Sequence, residues 1–187
     1  MFSVASFLLE NTLENSLVPA AKFLEDIDKV VEEHGGISTV FQALEQLYTR
    51  YKILDSSLSR QKRSFQDKIP DLTNALQVIR WLRSLEEREQ REPIETTFEL
   101  ADNIYSTALV KNPQVVYLWL GANVMVEYSF EEAEYLLKEN LDGARDKIQQ
   151  LEKDLAFLRE QMTTTEVNIS RVYTAQLKKQ ASNVASF

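Results

Sequence analysis

Apolar residues recur every seven positions, in alternating steps of three and four, along two long stretches of this chain. From Ile37 the steps land on Val40, Leu44, Leu47, Tyr51, Leu54, Leu58, Gln61, Phe65, Lys68, Leu72, Ala75, Ile79, Leu82 and Glu86, and twelve of these fifteen positions are apolar. The second run, Leu137, Leu141, Ala144, Ile148, Leu151, Leu155, Leu158, Met162, Thr165, Ile169 and Val172, is interrupted only at Thr165. The stripe of an ordinary surface helix drifts toward a period of 3.6, so a seven-residue repeat kept this long predicts supercoiled helices. Each stretch holds about 50 residues, roughly 75 Å at 1.5 Å per residue. Two equal stretches joined through a middle segment fold back as an antiparallel pair, whereas a parallel dimer would make their equal length a coincidence. Only four glycines and four prolines occur in 187 residues, which fits a chain spent mostly in long helices.

Details of the pairing follow from the same pattern. Aligning Glu86 with Phe130 at the closed end sets Tyr51 beside Thr165, so the polar seam position meets another hydroxyl and helps to fix register. Ser129 and Glu132 form a capping box where the second helix should begin. Pro70 has no N–H to donate and predicts a kink in the first helix, at a cost of roughly 3 kcal/mol.

Between the helices the period changes. Glu95–Leu100, Ile104–Val110, Val115–Leu120 and Val124–Tyr128 are rich in β-branched and aromatic residues. Ala101-Asp102-Asn103, Lys111-Asn112-Pro113 and Gly121-Ala122-Asn123 supply turns, which predicts four short strands in two hairpins. The third strand is apolar on both faces, while the fourth alternates with Val124, Val126 and Tyr128 on one face. About 35 residues can neither cover such a sheet nor close a barrel alone, and open edges invite another chain. The candidate assembly residues are Phe98, Ile104, Tyr105, Val116, Leu118, Trp119, Leu120, Val124, Val126 and Tyr128. Trp119, in the most apolar strand, is expected in a core or at a subunit interface. Trp81 falls off the seam near the hairpins, where packing within the chain and contact with a neighbour are equally open.

The remaining composition argues mainly by exclusion. A net charge of −8 and a pI near 4.8 disfavour a phosphate backbone as partner. No run of 18 apolar residues is present, so no membrane span is expected. The apolar start, Met1 to Leu9, has no Lys or Arg before Lys22 and does not read as a targeting peptide. Residues 1–15 read as a flexible N-terminal tail and residues 16–187 as a single domain. Cysteine is absent, which fits a reducing, cytoplasmic setting. The single histidine, His34, has no company for a metal site, and neither phosphate-binding glycine motif occurs. Neither an enzyme activity nor a cofactor is expected. At the open end of the helix pair, apolar residues exceed what a seam needs: Phe41 and Tyr48 flank the first helix, and Tyr173 and Leu177 end the second. With Leu44 and Val172 they form a candidate binding tip.

Two stretches resemble a known family closely. Trp119-Leu-Gly-Ala-Asn-Val-Met-Val-Glu-Tyr128 is similar to the strand-turn-strand leading into the second helix of α-class prefoldin subunits. Thr163-Thr-Thr-Glu-Val-Asn-Ile-Ser-Arg-Val-Tyr173 resembles the distal part of that helix. Val18-Pro-Ala-Ala-Lys-Phe-Leu-Glu-Asp-Ile27 resembles the N-terminal segment of those subunits more weakly, and Ala101-Asp102-Asn103-Ile104-Tyr105 fits as well. The resemblance implies a mainly α fold, a long antiparallel two-helix coiled coil with two β-hairpins inserted between the helices. Helix one would span about 37–88, the hairpins about 94–128 and helix two about 130–179, the hairpins joining an oligomeric β-barrel.

It also implies a heterohexamer with one further α-class and four β-class subunits. Such a complex holds non-native proteins, actin and tubulin above all, at the coiled-coil tips without ATP and passes them to the cytosolic chaperonin. The alternative is a structural or tethering coiled-coil subunit without client-holding activity, which shares the heptads but has no need of inserted strands. The sequence departs from the family where Leu17-Val18-Pro19 replaces the usual Gly-Ile-Pro, and where Tyr173 leads into Thr-Ala-Gln-Leu-Lys-Lys.

Overall fold

The long heptad runs become two helices of unusual length. In the computed structural model, which describes residues 6–10, 18–87, 93–111 and 113–184, α2 spans Ile37–Glu87 and α3 spans Phe130–Val184. A short helix, α1 (Ile27–Glu33), precedes them. Between them lie β1 (Ile94–Ala101), β2 (Ile104–Val110), β3 (Val115–Gly121) and β4 (Val124–Ser129). The chain divides into two compact units, residues 65–146 and the remainder.

In the unit made by residues 1–64 and 147–187, α2 and α3 pair antiparallel along the expected seam. Val40, Leu44, Leu47, Tyr51 and Leu58 are buried from α2, and Leu151, Leu155, Leu158, Thr165 and Val172 from α3. Cross-helix contacts match the expected register to within a residue or two: the Tyr48 hydroxyl donates to Glu166, and Lys62 pairs with Glu152 at 2.9 Å. The expected meeting of hydroxyls at Tyr51 and Thr165 is not the bonding observed. Thr165 Oγ1 donates to the Gln161 carbonyl one turn back at 2.8 Å, and Tyr51 Oη donates to the Pro19 carbonyl at 2.8 Å. Each buried hydroxyl is thus satisfied separately.

The same unit corrects the reading of residues 1–15 as a flexible tail, as far as that stretch is described. Leu8 is buried, Glu10 N donates to Ala20 O at 3.0 Å, and Lys22 N donates to Leu8 O at 2.9 Å. Leu9 and Ala21 form an antiparallel bridge. Burial of an apolar side chain together with paired main-chain groups holds this stretch in place; residues 1–5 and 11–15 lie outside the described residues. Asp26 caps α1 by accepting from Lys29 N at 3.1 Å. After α1, Gly35 and Gly36 take φ values of 83° and 95°. Only glycine adopts these without a Cβ penalty, and they let the chain turn into α2.

In the unit of residues 65–146, Leu76 and Ile79 of α2 pack with Phe130, Ala133, Leu137 and Leu141 of α3. The expected capping box opens α3. Glu132 N donates to Ser129 Oγ at 3.3 Å and Ser129 N donates to Glu132 Oε2 at 3.1 Å. The Ser129 N–H first, and then the Ser129 hydroxyl donating to Oε2 at 2.8 Å, hold the Glu132 carboxyl below its ordinary pKa. The α2 helix continues unbroken through Pro70. The two hairpins are separate two-stranded antiparallel sheets, β1 with β2 and β3 with β4. Both slip register just before the turn, at Glu99/Ala101 and at Trp119/Gly121.

Candidate interaction surfaces

Strand alternation gives the second hairpin two faces with different fates. Val116 pairs with Tyr128 and Leu118 with Val126, and Val116, Leu118 and Tyr128 pack on the cluster built around Leu76, Ile79 and Phe130. Their own chain therefore covers these three residues in part, and Val126 is likewise half-buried. On the other face Tyr117 pairs with Glu127 and Trp119 with Met125. Trp119 is 59% exposed, so its place in a core is not seen within this chain. The Tyr117 hydroxyl donates to Glu127 at 2.6 Å, and that bond raises the tyrosine pKa. Leu120 and Val124, near the turn, are also exposed.

The first hairpin buries less still. Phe98, Leu100, Ile104, Tyr105 and Leu109 are all exposed. A two-stranded ribbon is at best marginally stable by itself, and this one displays large apolar side chains on both faces. Of the expected assembly residues, Phe98, Ile104, Tyr105, Trp119, Leu120 and Val124 thus remain open to a partner. Val78, Trp81 and Tyr135, on the helices of the same unit, are exposed as well.

At the free ends of α2 and α3, the expected tip residues separate into two groups. Leu44 and Val172 are 1% and 0% exposed, so they are seam residues and drop out as contacts. Phe41 and Tyr48 are half-buried, and Tyr173 and Leu177 are exposed. The bond to Glu166 is the largest cause of a raised Tyr48 pKa.

Sequence reasoning missed how this end is covered. Residues 18–26 lie along α2 and α3, with Val18, Ala21 and Leu24 buried, followed by Ile27 and Val31 of α1. Asn168, 1% exposed, accepts from Leu24 N through Oδ1 at 3.1 Å and donates through Nδ2 to Lys22 O at 2.8 Å. Gln161, 8% exposed, accepts from Ala21 N at 2.9 Å. Arg171 donates to the carbonyls of Leu24 and, at 2.8 Å, of Glu25, and lies over the Phe23 ring, 4.9 Å from its centroid. Tyr51 completes the set through Pro19, and its burial pushes the phenol up to about 12. The signal available in the sequence was the three-residue spacing of Val18, Ala21, Leu24 and Ile27, which belongs neither to a helix stripe nor to strand alternation.

The other expected candidates have ordinary surroundings. His34 stacks on Phe7, with ring centroids 3.8 Å apart. Among the described residues no three His, Asp or Glu side chains converge as metal ligands, and no helix is long and apolar enough to cross a membrane.

Comparison with known proteins points to one family. The family model for prefoldin subunits matches residues 51–175. Human prefoldin subunit 3 is 40% identical over 164 residues, covering 87% of this chain and 82% of that protein. Prefoldin subunit 3 of Drosophila melanogaster is 40% identical over 174 residues, covering 92% and 87%. A solved filamentous prefoldin from Methanocaldococcus jannaschii overlaps 58% of this chain and 91% of its own, at 16% identity and a TM-score of 0.39. On the family match and the identity to subunit 3 across most of its length, the chain belongs to the prefoldin subunits.

Proposed function

We propose that this chain is one of two α-class subunits of a cytosolic heterohexamer that holds non-native proteins without ATP, actin and tubulin among them, and passes them to the chaperonin. The observation that carries the reading is the pair of β-hairpins that cannot satisfy themselves. Trp119, Phe98, Ile104 and Tyr105 expose apolar surface that a chain of net charge −8 would keep in water only at a cost. At about 25 cal/mol per Å² of apolar area, burying it against neighbouring subunits supplies association energy before association costs are met. One further α-class and four β-class subunits would provide those neighbours. The helix ends carry Phe41, Tyr48, Tyr173 and Leu177, each able to contribute no more than about 1.5–3 kcal/mol to a client contact. Several such ends acting together raise effective affinity without a tight site, and so also permit release.

The experiment co-expresses the chain with a second α-class and four β-class subunits, then measures complex mass and suppression of aggregation of denatured tubulin. In complexes of equal stoichiometry, serine at Phe41, Tyr48, Tyr173 and Leu177 together should weaken holding partially and leave helix content intact. Serine at Lys153 and Glu160, on the exposed side of α3, should change neither. A complex that assembles but suppresses no aggregation would reduce the chain to a scaffold.

A further inference from the structure

We propose that the groove now filled by residues 18–26 is a binding site for extended non-native polypeptide, with the chain's own segment as a displaceable occupant. The proposal rests on the holding function above and names a site for it. What distinguishes this groove is how it reads its occupant. Hydrogen bonds from α2 and α3 side chains run to the segment's main-chain groups: Asn168 to Leu24 N–H and Lys22 C=O, Gln161 to Ala21 N–H, Arg171 to the Leu24 and Glu25 carbonyls, and Tyr51 to the Pro19 carbonyl. None of them senses a side chain, so any extended stretch could make them.

Covered as they are, Asn168 and Gln161 are nine-tenths or more buried, which would be costly if their amides lacked partners, so whatever covers the groove must offer free peptide groups. That requirement describes an unfolded chain. Specificity would come from the small or aliphatic residues at every third position, as Val18, Ala21, Leu24 and Ile27 supply now. It would come also from charge, since Arg171, Lys178 and Lys179 line the surface beside Glu25, Asp26 and Asp28, with Lys179 Nζ 4.0 Å from Asp28. The favoured occupant is an extended apolar segment followed by acidic residues. Because the resident segment is tethered, it competes at high effective concentration. Client affinity is then reduced by the fraction of time the groove is open, which would keep the site from binding folded or scarce sequences.

The test uses the assembled complex containing the full chain. Amide hydrogen exchange at Ala21 and Leu24 is followed with and without a saturating amount of a reduced, alkylated and permanently unfolded protein. Exchange at both amides should accelerate at least several-fold when the unfolded protein is bound. A labelled peptide copying residues 18–27 should bind the Leu24→Ser complex about tenfold more tightly than the parent, because a loosened segment opens the groove more often. The unfolded protein should compete it off, and adding Asn168→Leu should remove the gain. If the unfolded protein is held while both amides keep their protection, the segment is a fixed strap and this inference falls alone. If the parent complex holds no unfolded protein, the holding function and this inference fall together. Should Leu24→Ser fail to assemble, the exchange measurement on the unaltered complex decides.

Discussion

Replacing Asn168 with alanine removes one side chain that satisfies two peptide groups more than 140 residues away in sequence. The Leu24 N–H it leaves behind is buried, and losing the partner of such a group costs about 1–3 kcal/mol. The Lys22 carbonyl is only partly buried and can recover a water, so its loss costs about 1 kcal/mol, the lower end of that range. The sum is about 2–4 kcal/mol, directed at the docking of residues 18–26 rather than at the helix pair. Thr165→Val is the control. Its hydroxyl is equally buried, yet it donates to the Gln161 carbonyl within its own helix. Replacing it with a side chain of the same shape should cost under about 1.5 kcal/mol.

The assay is amide hydrogen exchange on the assembled complex, read at Ala21 and Leu24 and compared with amides in mid-α3. Asn168→Ala should raise exchange at the two segment amides by roughly 30-fold or more, the factor matching about 2 kcal/mol. Mid-helix exchange should barely move, and Thr165→Val should leave both nearly unchanged. Equal effects of the two variants on the segment, or no effect of Asn168→Ala, would refute the reasoning that buried amide bonds hold the segment down.

Trp119→Ser should leave circular dichroism and thermal melting of the isolated subunit within experimental error, since the indole is mostly exposed, while light scattering shows the subunit released from its complex. Glu134 accepts from Arg80 at 2.7 Å and from Arg83 at 3.1 Å, and mainly the Arg80 bond lowers its pKa. A depressed carboxylate pKa gives stability that is complete above the unfolded value and lost as pH falls through the folded one. Denaturation midpoints should therefore decline below about pH 4.5, and Glu134→Gln should flatten that decline. Suppression of tubulin aggregation by the complex should be the same with and without ATP, provided no chaperonin is present; a dependence on added nucleotide would contradict the holding mechanism.

Much of this molecule was legible in its residues because the deciding interactions are local or periodic. The heptads located both helices, since a seven-residue repeat can bury one continuous stripe only against a second helix. Ser129 and Glu132 marked the start of α3, and Asp102-Asn103 and Ala122-Asn123 marked turns whose residues Asn103, Ala122 and Asn123 do take positive φ. The failures share a cause: periodicity reports which positions lie on a stripe, and says nothing of what covers its flanks. On α3 the strict seam names Met162 and Ile169, yet Gln161 and Asn168 are the buried neighbours. They are buried because a segment some 140 positions away in sequence lies over them and supplies the peptide groups that make burial of an amide tolerable. That same cover belongs to a helix end which sequence alone reads as bare. For Val116, Leu118 and Tyr128 the sequence told that one face of a strand is apolar, but only the packing on Phe130 and Ile79 assigned that face to the chain itself. The opposite face, with Trp119, was left for a partner. The sequence determined the elements and their periodic faces; the tertiary structure decided which polar side chains go inside and which apolar ones stay out, because both depend on contacts between residues far apart in the chain.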